Sequence, residues 1–411
     1  MTASRKAVVA GVYTTEQARE SHGRTGLSYA LEALRGALDD AGMRKEDIQG
    51  LFALIDEWPH APSGGGFYSP ANWPNQLGIP INWFTGAINA AMTGAPAILD
   101  AAAAIATGNV ETVAIVLGRS RPLPRAGKTA PWTWNQHEFT QWTGSLTAAQ
   151  FALAASRHMH QYGTERRHLG RLAATIRNNG HVNPQAVMRG RGPYTAEQVV
   201  EARMIADPLT VLMCALVNDG GGAMIITTEE RARSSPKPPV HILGGADQIS
   251  YPAYQEVPLL ERHVGGPFSR EWVKRGFSLA GVTHDDVDVV ELYDGFAIWA
   301  LMQLELFGFC GEGEGGPFIE SGAVDMDGRY PVCTDGGCMS FSHNGTPSLF
   351  RPIEAVRQLR GEVPDLCPGS DAGEHTYDRS ICRKVRDPKV AFAASMGPPT
   401  GGGNFVLLAK D

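Results

Sequence analysis

Three groups of residues have types and spacings that chemistry could use. His158 and His160 form an H-x-H pair of the kind that binds metals, but residues two apart on a helix point to different faces, so we expect no shared ion. Cys333 and Cys338 lack a second pair with zinc spacing, which favours buried thiols. Segment 311–316 (GEGEGG) lacks the Lys-Ser/Thr ending of a phosphate loop and carries carboxylates, so we expect a mobile loop near a pocket. None of the three predicts a metal or nucleotide site.

Composition excludes several classes of protein. The 411 residues include 36 basic and 43 acidic side chains, a net charge of −7, which argues against binding DNA, RNA or anionic lipid. Hydrophobic residues make up 43% and charged residues 19%, so a large core is possible and wholesale disorder is excluded. Six cysteines are too few for a disulfide scaffold of this length. We find no signal-peptide pattern, and the longest apolar region, 97–118, is interrupted by polar residues, so we expect no membrane span and a cytoplasmic location.

Strand and helix patterns alternate along the chain. The first series predicts strands at 7–13, 51–54 and 112–117 and helices at 27–41 and 96–107. The second series predicts strands at 223–228, 240–243, 287–292, 390–394 and 405–408 and helices at 270–279, 296–307 and 352–360. This alternation predicts an α/β protein with a largely parallel sheet covered by helices.

An internal repeat links the two series. Segment 41–48 (AGMRKEDI) recurs as segment 280–287 (AGVTHDDV), and in both copies a helix pattern precedes the block and a strand pattern follows it. A helix that ends at Gly108 before a strand is matched by one that ends at Gly361 before a strand. The repeat predicts two similar α/β halves packed face to face, with a site where they meet.

Several motifs in a fixed order give the chain a resemblance to the thiolase superfamily. They are ARMIADPL at 202–209 followed by VNDGG at 217–221, VELYDGF at 290–296, and the stretch 335–361 with DGG, His343 and EAVRQLRG. The sterol-carrier and lipid-transfer branch is the most similar, because its HDCF-type motif corresponds to 290–296. The resemblance runs nearly end to end. It implies the duplicated, five-layered αβαβα thiolase fold, with an N-terminal half at 1–235, an inserted loop region at about 119–212, and a C-terminal half at 236–411.

The chain departs from thiolases at the nucleophile. Counting back from Gly108 puts Ala91 where thiolases have their reactive cysteine, and a methyl group cannot be acylated. The second thiolase cysteine is also missing from segment 395–403. The chain is therefore most similar to the steroid side-chain-cleaving acyl-CoA aldolases, which lack the nucleophile and carry a Tyr-Asp motif, as Tyr293-Asp294 does here. Those aldolases have a tyrosine where this chain keeps His343.

The resemblance implies a site for a retro-aldol step. That step removes the proton of a β-hydroxyl, breaks the α–β bond and leaves a thioester enolate, so a base and donors at the thioester oxygen suffice. We expect Tyr293 and His343 to face the reacting carbons, and which of them is the base stays open. Asp294 would support the pair as a neighbour. Backbone N–H groups of Ala91 and Gly402 would complete the oxyanion site.

Segment 119–144 combines tryptophans with basic residues. The members are Trp132, Trp134 and Trp142 together with Arg119, Arg121, Arg125 and Lys128. The tryptophans could cover a large apolar substrate or pack in a core or interface. The basic residues could meet the phosphates of coenzyme A or form an ordinary solvated face.

The expected function is retro-aldol cleavage of a β-hydroxyacyl-CoA, with a steroid side-chain thioester as the candidate substrate, to a ketone and a short acyl-CoA. The resemblance implies no cofactor beyond the coenzyme A of the substrate. It also implies a homodimer and a candidate small OB-fold, zinc-ribbon partner protein in a heterotetramer. Two alternatives stay open: a catalytically silent thiolase-like subunit that binds acyl-CoA or lipid, and a non-covalent acyltransferase.

Overall fold

A computed structural model describes residues 5–20, 23–57, 72–85, 94–120, 147–249, 270–343, 347–363, 383–395 and 402–411. Its strands are β1 (Ala7–Thr14), β2 (Gly50–Glu57), β3 (Trp83–Thr85), β4 (Thr112–Ser120), β5 (Met204–Ala206), β6 (Leu209–Thr210), β7 (Gly220–Thr228), β8 (Val240–Ile249), β9 (Val289–Glu291), β10 (Val390–Ala394) and β11 (Gly402–Ala409). Its helices are α1 (Gly26–Ala41), α2 (Asn72–Leu77), α3 (Ala95–Ala106), α4 (Thr147–Tyr162), α5 (Arg166–His181), α6 (Ala196–Glu201), α7 (Glu229–Ala232), α8 (Glu271–Ala280), α9 (Ala297–Phe307), α10 (Gly315–Glu320) and α11 (Phe350–Arg360).

One mixed sheet joins most of the strands in the order β3-β2-β4-β7-β1-β8-β11-β10-β9. In the first part β2 and β4 are parallel, and β7 and β1 continue the sheet antiparallel. In the second part β9 and β10 are parallel, and β11 and β8 continue it antiparallel. The two parts meet where β1 pairs with β8, at Val8 with His241 and Val9 with Val240. Strand order and direction are thus repeated in the second part, as a duplicated fold requires.

The repeated sequence block adopts the same local structure in both copies. Helices α1 and α8 each end at a glycine in the left-handed conformation, Gly42 with φ 67° and Gly281 with φ 69°. Glycine is favoured there because it has no Cβ. A single 3₁₀ turn follows each glycine, and Asp47 and Asp286 each accept the N–H three residues earlier, at 2.9 and 2.7 Å. Each block therefore turns the chain from an outer helix into a parallel strand.

Three clusters of buried side chains define the layers. One packs α1 on the outer face of the first part of the sheet. The central cluster places α3 and α11 between the two parts, against β1, β4 and β7 on one side and β8, β10 and β11 on the other. The third packs α5, α8 and α9 on the outer face of the second part. The order of layers is helix, sheet, helix, sheet, helix, which confirms the duplicated αβαβα thiolase arrangement, whereas the division at 235/236 stays a prediction.

The bounds of the inserted region expected at about 119–212 stay a prediction. Where the structure describes this region beyond β4, from 147 onward, it contains α4, α5, α6 and the β5–β6 hairpin. Helix α5 was not predicted from the sequence, although Leu169, Leu172, Ala173 and Ile176 form an apolar face with helical spacing. Its buried polar side chains, His168, Arg177, Asn179 and His181, carry no such signal. Among the described residues, no helix is long and apolar enough to cross a membrane.

Candidate active site

Tyr293 and Asp294 lie just beyond the carboxyl end of β9. The side chain of Gln303, on α9, fixes the main chain of Tyr293: Nε2 donates to its carbonyl at 2.6 Å, and Oε1 accepts its N–H at 3.2 Å. Gln303 is fully buried in a mostly apolar helix, and a buried amide is tolerated when its polar atoms are paired. Because β9 and β10 are parallel, their carboxyl ends meet at one edge, where α/β proteins place their ligands.

Asp294 joins this strand end to the segment that leads to His343. Its buried carboxylate accepts the N–H groups of Cys338 and Met339 at 2.6 and 3.1 Å, at the start of the π-helical turn Gly337–Phe341. A Cβ on Gly337 would lie 2.1 Å from Asp294 Oδ2, so the close approach requires glycine there. A carboxylate is favourable at a helix N-terminus, and π turns recur at functional sites. Asp294 therefore fixes the start of the turn that leads to His343.

Tyr293 and His343 are in direct contact. Tyr293 Oη and His343 Nε2 are 2.8 Å apart, a hydrogen bond between residues 50 positions apart in the chain. The phenol donates to Nε2 when the ring proton is on Nδ1. The N–H of His343 donates to Asn218 Oδ1 at 2.7 Å, and Asn218 Nδ2 donates to Ser342 Oγ at 2.9 Å. The structure thus brings together the two side chains that the sequence selected.

A buried ionic cluster joins the two segments that lead to Tyr293 and His343. Arg351, on α11, is fully buried and donates to Glu291 at 3.1 Å and to both oxygens of Asp335 at 2.9 and 2.8 Å. Glu291 ends the strand that leads to Tyr293, and Asp335 precedes the π turn, so Arg351 ties the two reacting segments together. The cluster continues through Thr334, Glu354, Gln358 and Arg383. Buried charges persist when they are paired and hydrogen-bonded, as these are.

Burial controls the protonation of the site. It raises the pKa of Tyr293 far above the ordinary value, nearby Cys338 and Asp294 reinforce the shift, and Arg119 opposes it. Tyr293 is therefore a neutral phenol at physiological pH and a proton donor in its resting state. Burial also raises the pKa of Cys333 and Cys338, which are both fully buried, as expected for structural thiols.

The two predicted oxyanion donors are only partly described. Ala91 lies outside the described residues. Gly402 begins β11, in register with Ile249. Ser395, which follows β10, connects β11 to the start of α3: its N–H donates to the Asn404 carbonyl at 3.2 Å, and its Oγ accepts the N–H of Ala95 at 3.2 Å. The segments that lead to both predicted donors therefore meet at Ser395, and their role stays a proposal.

A cavity of about 250 Å³ lies against segment 211–217. It is lined by Arg19, Arg177, Met188, Val211, Cys214, Ala215, Leu216 and Val217. The lining segment 211–217 is bonded to both reacting segments, since Ala215 N–H donates to the Gly295 carbonyl at 2.9 Å and Leu216 N–H donates to the Cys338 carbonyl at 3.2 Å. One wall of the cavity is therefore continuous with the main chain around Tyr293 and His343.

The other candidate residues do not form a second site. His158 is buried between Thr164 (2.8 Å) and Glu305 (3.1 Å), whereas His160 is exposed, so the two histidines do not share a ligand. No cluster of potential metal ligands occurs among the described residues. In segment 311–316, residues 311–314 form a turn that leads into α10 at Gly315, and the mobility of this turn stays a prediction. The tryptophans at 132, 134 and 142 and the basic residues at 121, 125 and 128 lie outside the described residues.

Several residues that support the pair were not selected from sequence. Asn218 was visible only as part of a motif, and Arg119 only as one of several basic residues. Gln303 had a usable signal, because an amide stands inside an otherwise apolar helix pattern. Arg351, the second residue of α11, had none, because its burial and its ionic partners appear only in the structure.

Comparison with known proteins agrees with the fold. Residues 269–370 match the thiolase C-terminal domain-like family. The chain is 32% identical over 369 residues to a 17-hydroxy-3-oxo-4-pregnene-20-carboxyl-CoA lyase of Mycobacterium tuberculosis, covering 87% of this chain and 92% of that protein. It is 30% identical over 372 residues to a steroid side-chain-cleaving aldolase of Thermomonospora curvata, covering 86% and 90%. A solved Ltp2–ChsH2(DUF35) aldolase matches with a TM-score of 0.76 at 27% identity, over 99% of this chain and 98% of that one.

The chain therefore belongs to the thiolase superfamily. Within it, two relatives that match over most of the chain, at 30 and 32% identity, are named a steroid side-chain-cleaving aldolase and an acyl-CoA lyase.

Proposed function

We propose that the protein is a carbon–carbon lyase that cleaves a β-hydroxyacyl-CoA by a non-covalent retro-aldol reaction. The observation that carries this proposal is the 2.8 Å hydrogen bond between Tyr293 and His343, an acid–base pair at the sheet edge of a thiolase fold that has alanine at the nucleophile position. The names of the two relatives support a steroid side-chain CoA thioester as the substrate.

The pair supplies the proton transfers that the reaction needs. The substrate hydroxyl gives its proton to Tyr293 Oη while the phenol passes its own proton to His343 Nε2, which avoids a free tyrosinate. The hydroxyl oxygen then forms a ketone, the α–β bond breaks, and its electron pair becomes a thioester enolate. The proton held by the pair returns to the α-carbon, giving the ketone and a shorter acyl-CoA. No water, oxidant or cofactor is consumed.

Groups around the pair complete the proposed site. Asp294 holds the π turn and thereby the approach of His343 to Tyr293. The backbone N–H groups of Ala91 and Gly402 would stabilise the enolate oxygen, as preorganised donors do where charge develops. We assign the 250 Å³ cavity to the thioester arm of coenzyme A, because its wall is bonded to both reacting segments.

A partner protein is part of the proposal. The solved relative is an Ltp2–ChsH2(DUF35) aldolase, which supports a second polypeptide in the active assembly. We propose that a homodimer of this chain binds a small OB-fold, zinc-ribbon protein to form a heterotetramer. Light scattering of the purified chain, alone and with proteins that co-purify, tests the stoichiometry.

Mass spectrometry of the products tests the reaction. The substrate is a tertiary β-hydroxy steroid side-chain CoA ester, given to the protein alone and with any co-purifying partner. We expect a ketone and a short acyl-CoA, and Tyr293→Phe should lower kcat by about 100-fold or more because the proton relay is broken. Tyr330→Phe is the matched control, since its buried hydroxyl donates to the His284 carbonyl instead.

The outcomes separate the alternatives. Intact substrate after confirmed binding, with and without partner, would support a silent acyl-CoA-binding subunit. Product that appears only with a second acceptor would support acyl transfer. Cleavage that survives Tyr293→Phe would keep the reaction and overturn this account of the site.

A further inference from the structure

Arg119 is a buried cation beside the reacting pair. It lies near the end of β4, opposite Asp56 of β2 and Gly220 of β7, and only 2% of it is exposed. Burying a guanidinium is costly unless it is paired, so its position is specific. Arg119 is therefore not part of an exposed basic face that could bind phosphates.

The guanidinium reaches the main chain of His343. Arg119 Nη1 is 3.4 Å from the His343 carbonyl oxygen, while the N–H of the same residue donates to Asn218 at 2.7 Å. Arg119 and Asn218 come from the first half of the chain, whereas Tyr293, which bonds the imidazole, comes from the second. The main chain of His343 is therefore held from both sides, independently of the contact between the rings.

Arg119 is also close to Tyr293. Its positive charge opposes the rise in the pKa of Tyr293 that burial causes and Asp294 reinforces. Arg119 therefore lies near both members of the pair, and its contact with the His343 carbonyl fixes the main chain from which the imidazole reaches Tyr293.

We propose that Arg119 is a positioning residue of the active site, which holds the main chain of His343 and thereby the approach of its imidazole to Tyr293. This proposal rests on the proposed lyase function and assigns that site a further residue. It distinguishes Arg119 from residues that bind the coenzyme A phosphates, because the expected effect falls on turnover and not on substrate affinity.

Arg119→Met and Arg119→Lys test the proposal, with Arg360→Met as the matched loss of another buried arginine, one that bonds Asp40 and the Val9 and Ala10 carbonyls. Arg119→Met should lower kcat by about 100-fold with KM within about 3-fold, and lysine should restore part of the loss. Arg360→Met should leave kcat unchanged. A rise in KM at constant kcat in Arg119→Met would overturn the proposal in favour of phosphate binding.

A second readout needs no turnover. In protein labelled at histidine ¹³Cε1, with His343 assigned through His343→Asn, the His343 resonance should shift in Arg119→Met, because the imidazole moves relative to the Tyr293 ring, whose centroid lies 5.8 Å away. Lysine should return the resonance toward its wild-type position. An unchanged resonance would overturn the proposal. If wild-type protein fails to cleave the substrate while the resonance still moves, the lyase function fails and the placement of Arg119 stands.

Discussion

The two central helices, α3 and α11, occupy equivalent places in the duplicated fold but are buried by different chemistry. The buried positions of α3 are alanine, proline and isoleucine. Those of α11 include Arg351, Glu354, Arg357 and Gln358, which are hydrogen-bonded to neighbouring segments. The architecture therefore does not require buried ions between the sheets.

The difference follows from what each helix must hold. Helix α3 packs between the apolar faces of regular strands, and apolar contacts are enough to hold it there. Helix α11 must fix two irregular segments, the one after β9 that carries Tyr293 and the one that leads to His343. Directional hydrogen bonds from Arg351 to Glu291 and Asp335 fix their relative position in a way that apolar contacts cannot. Buried polarity marks the copy in which the reacting side chains lie.

The largest expected effect comes from removing the central cation of α11. Arg351→Met leaves Glu291 and Asp335 buried without their shared partner and should cost about 3 to 5 kcal/mol of unfolding free energy. Ile98→Val, a buried change on α3, should cost about 1 kcal/mol. Urea denaturation followed by circular dichroism measures both. Equal costs for the two variants would contradict the contrast between the helices.

The duplicated helix ends provide a second, smaller test. Gly281→Ala should cost about 1 to 2 kcal/mol, because alanine is strained at φ 69° but its Cβ would meet nothing within 4 Å. Gly42→Ala should cost more, because its Cβ would lie 2.7 Å from Pro236 Cδ. Thermal and urea unfolding of the two variants give the comparison. If Gly42→Ala lowers the unfolding free energy no more than Gly281→Ala does, the end of α1 is less constrained than its contact with Pro236 indicates.

The smallest expected effect concerns the pH dependence of turnover, in which we expect no alkaline fall. Activity should show no fall from Tyr293 below pH 10, because burial raises the pKa of that phenol above its usual range. The measurement is kcat/KM from pH 5 to 10. An alkaline fall that is absent in residual Tyr293→Phe activity would assign a much lower pKa to the phenol.

Part of the fold was predictable because its signals are local. The repeated Ala-Gly blocks encode left-handed helix ends and 3₁₀ turns, which depend on a few consecutive residues. The alternation of strands and helices wrongly predicted a largely parallel sheet, because strand direction depends on distant partners: β1, for example, is antiparallel to both β7 and β8. The burial of polar side chains on α5 was equally hidden, since Asn179 donates to the carbonyl of Cys333, far along the chain.

The site was predictable in part for the same reason. Tyr293 and His343 could be selected because they stand in motifs that resemble those of a known family. Asn218 and Arg119 contact His343, although both are far from it in the chain. No spacing in the sequence indicates such contacts, so these two residues could be identified only in the folded structure.

The central place of β1 in the sheet has a consequence for synthesis on the ribosome. Ala7 of β1 pairs with Thr228, and Val9 pairs with Val240, so β1 waits for partners that are made much later. Pairing over such long separations slows folding, because a large loop must close before the contacts form. The nascent chain therefore carries an apolar, unpaired strand until β7 and β8 are made, and we expect it to need protection by chaperones during that interval.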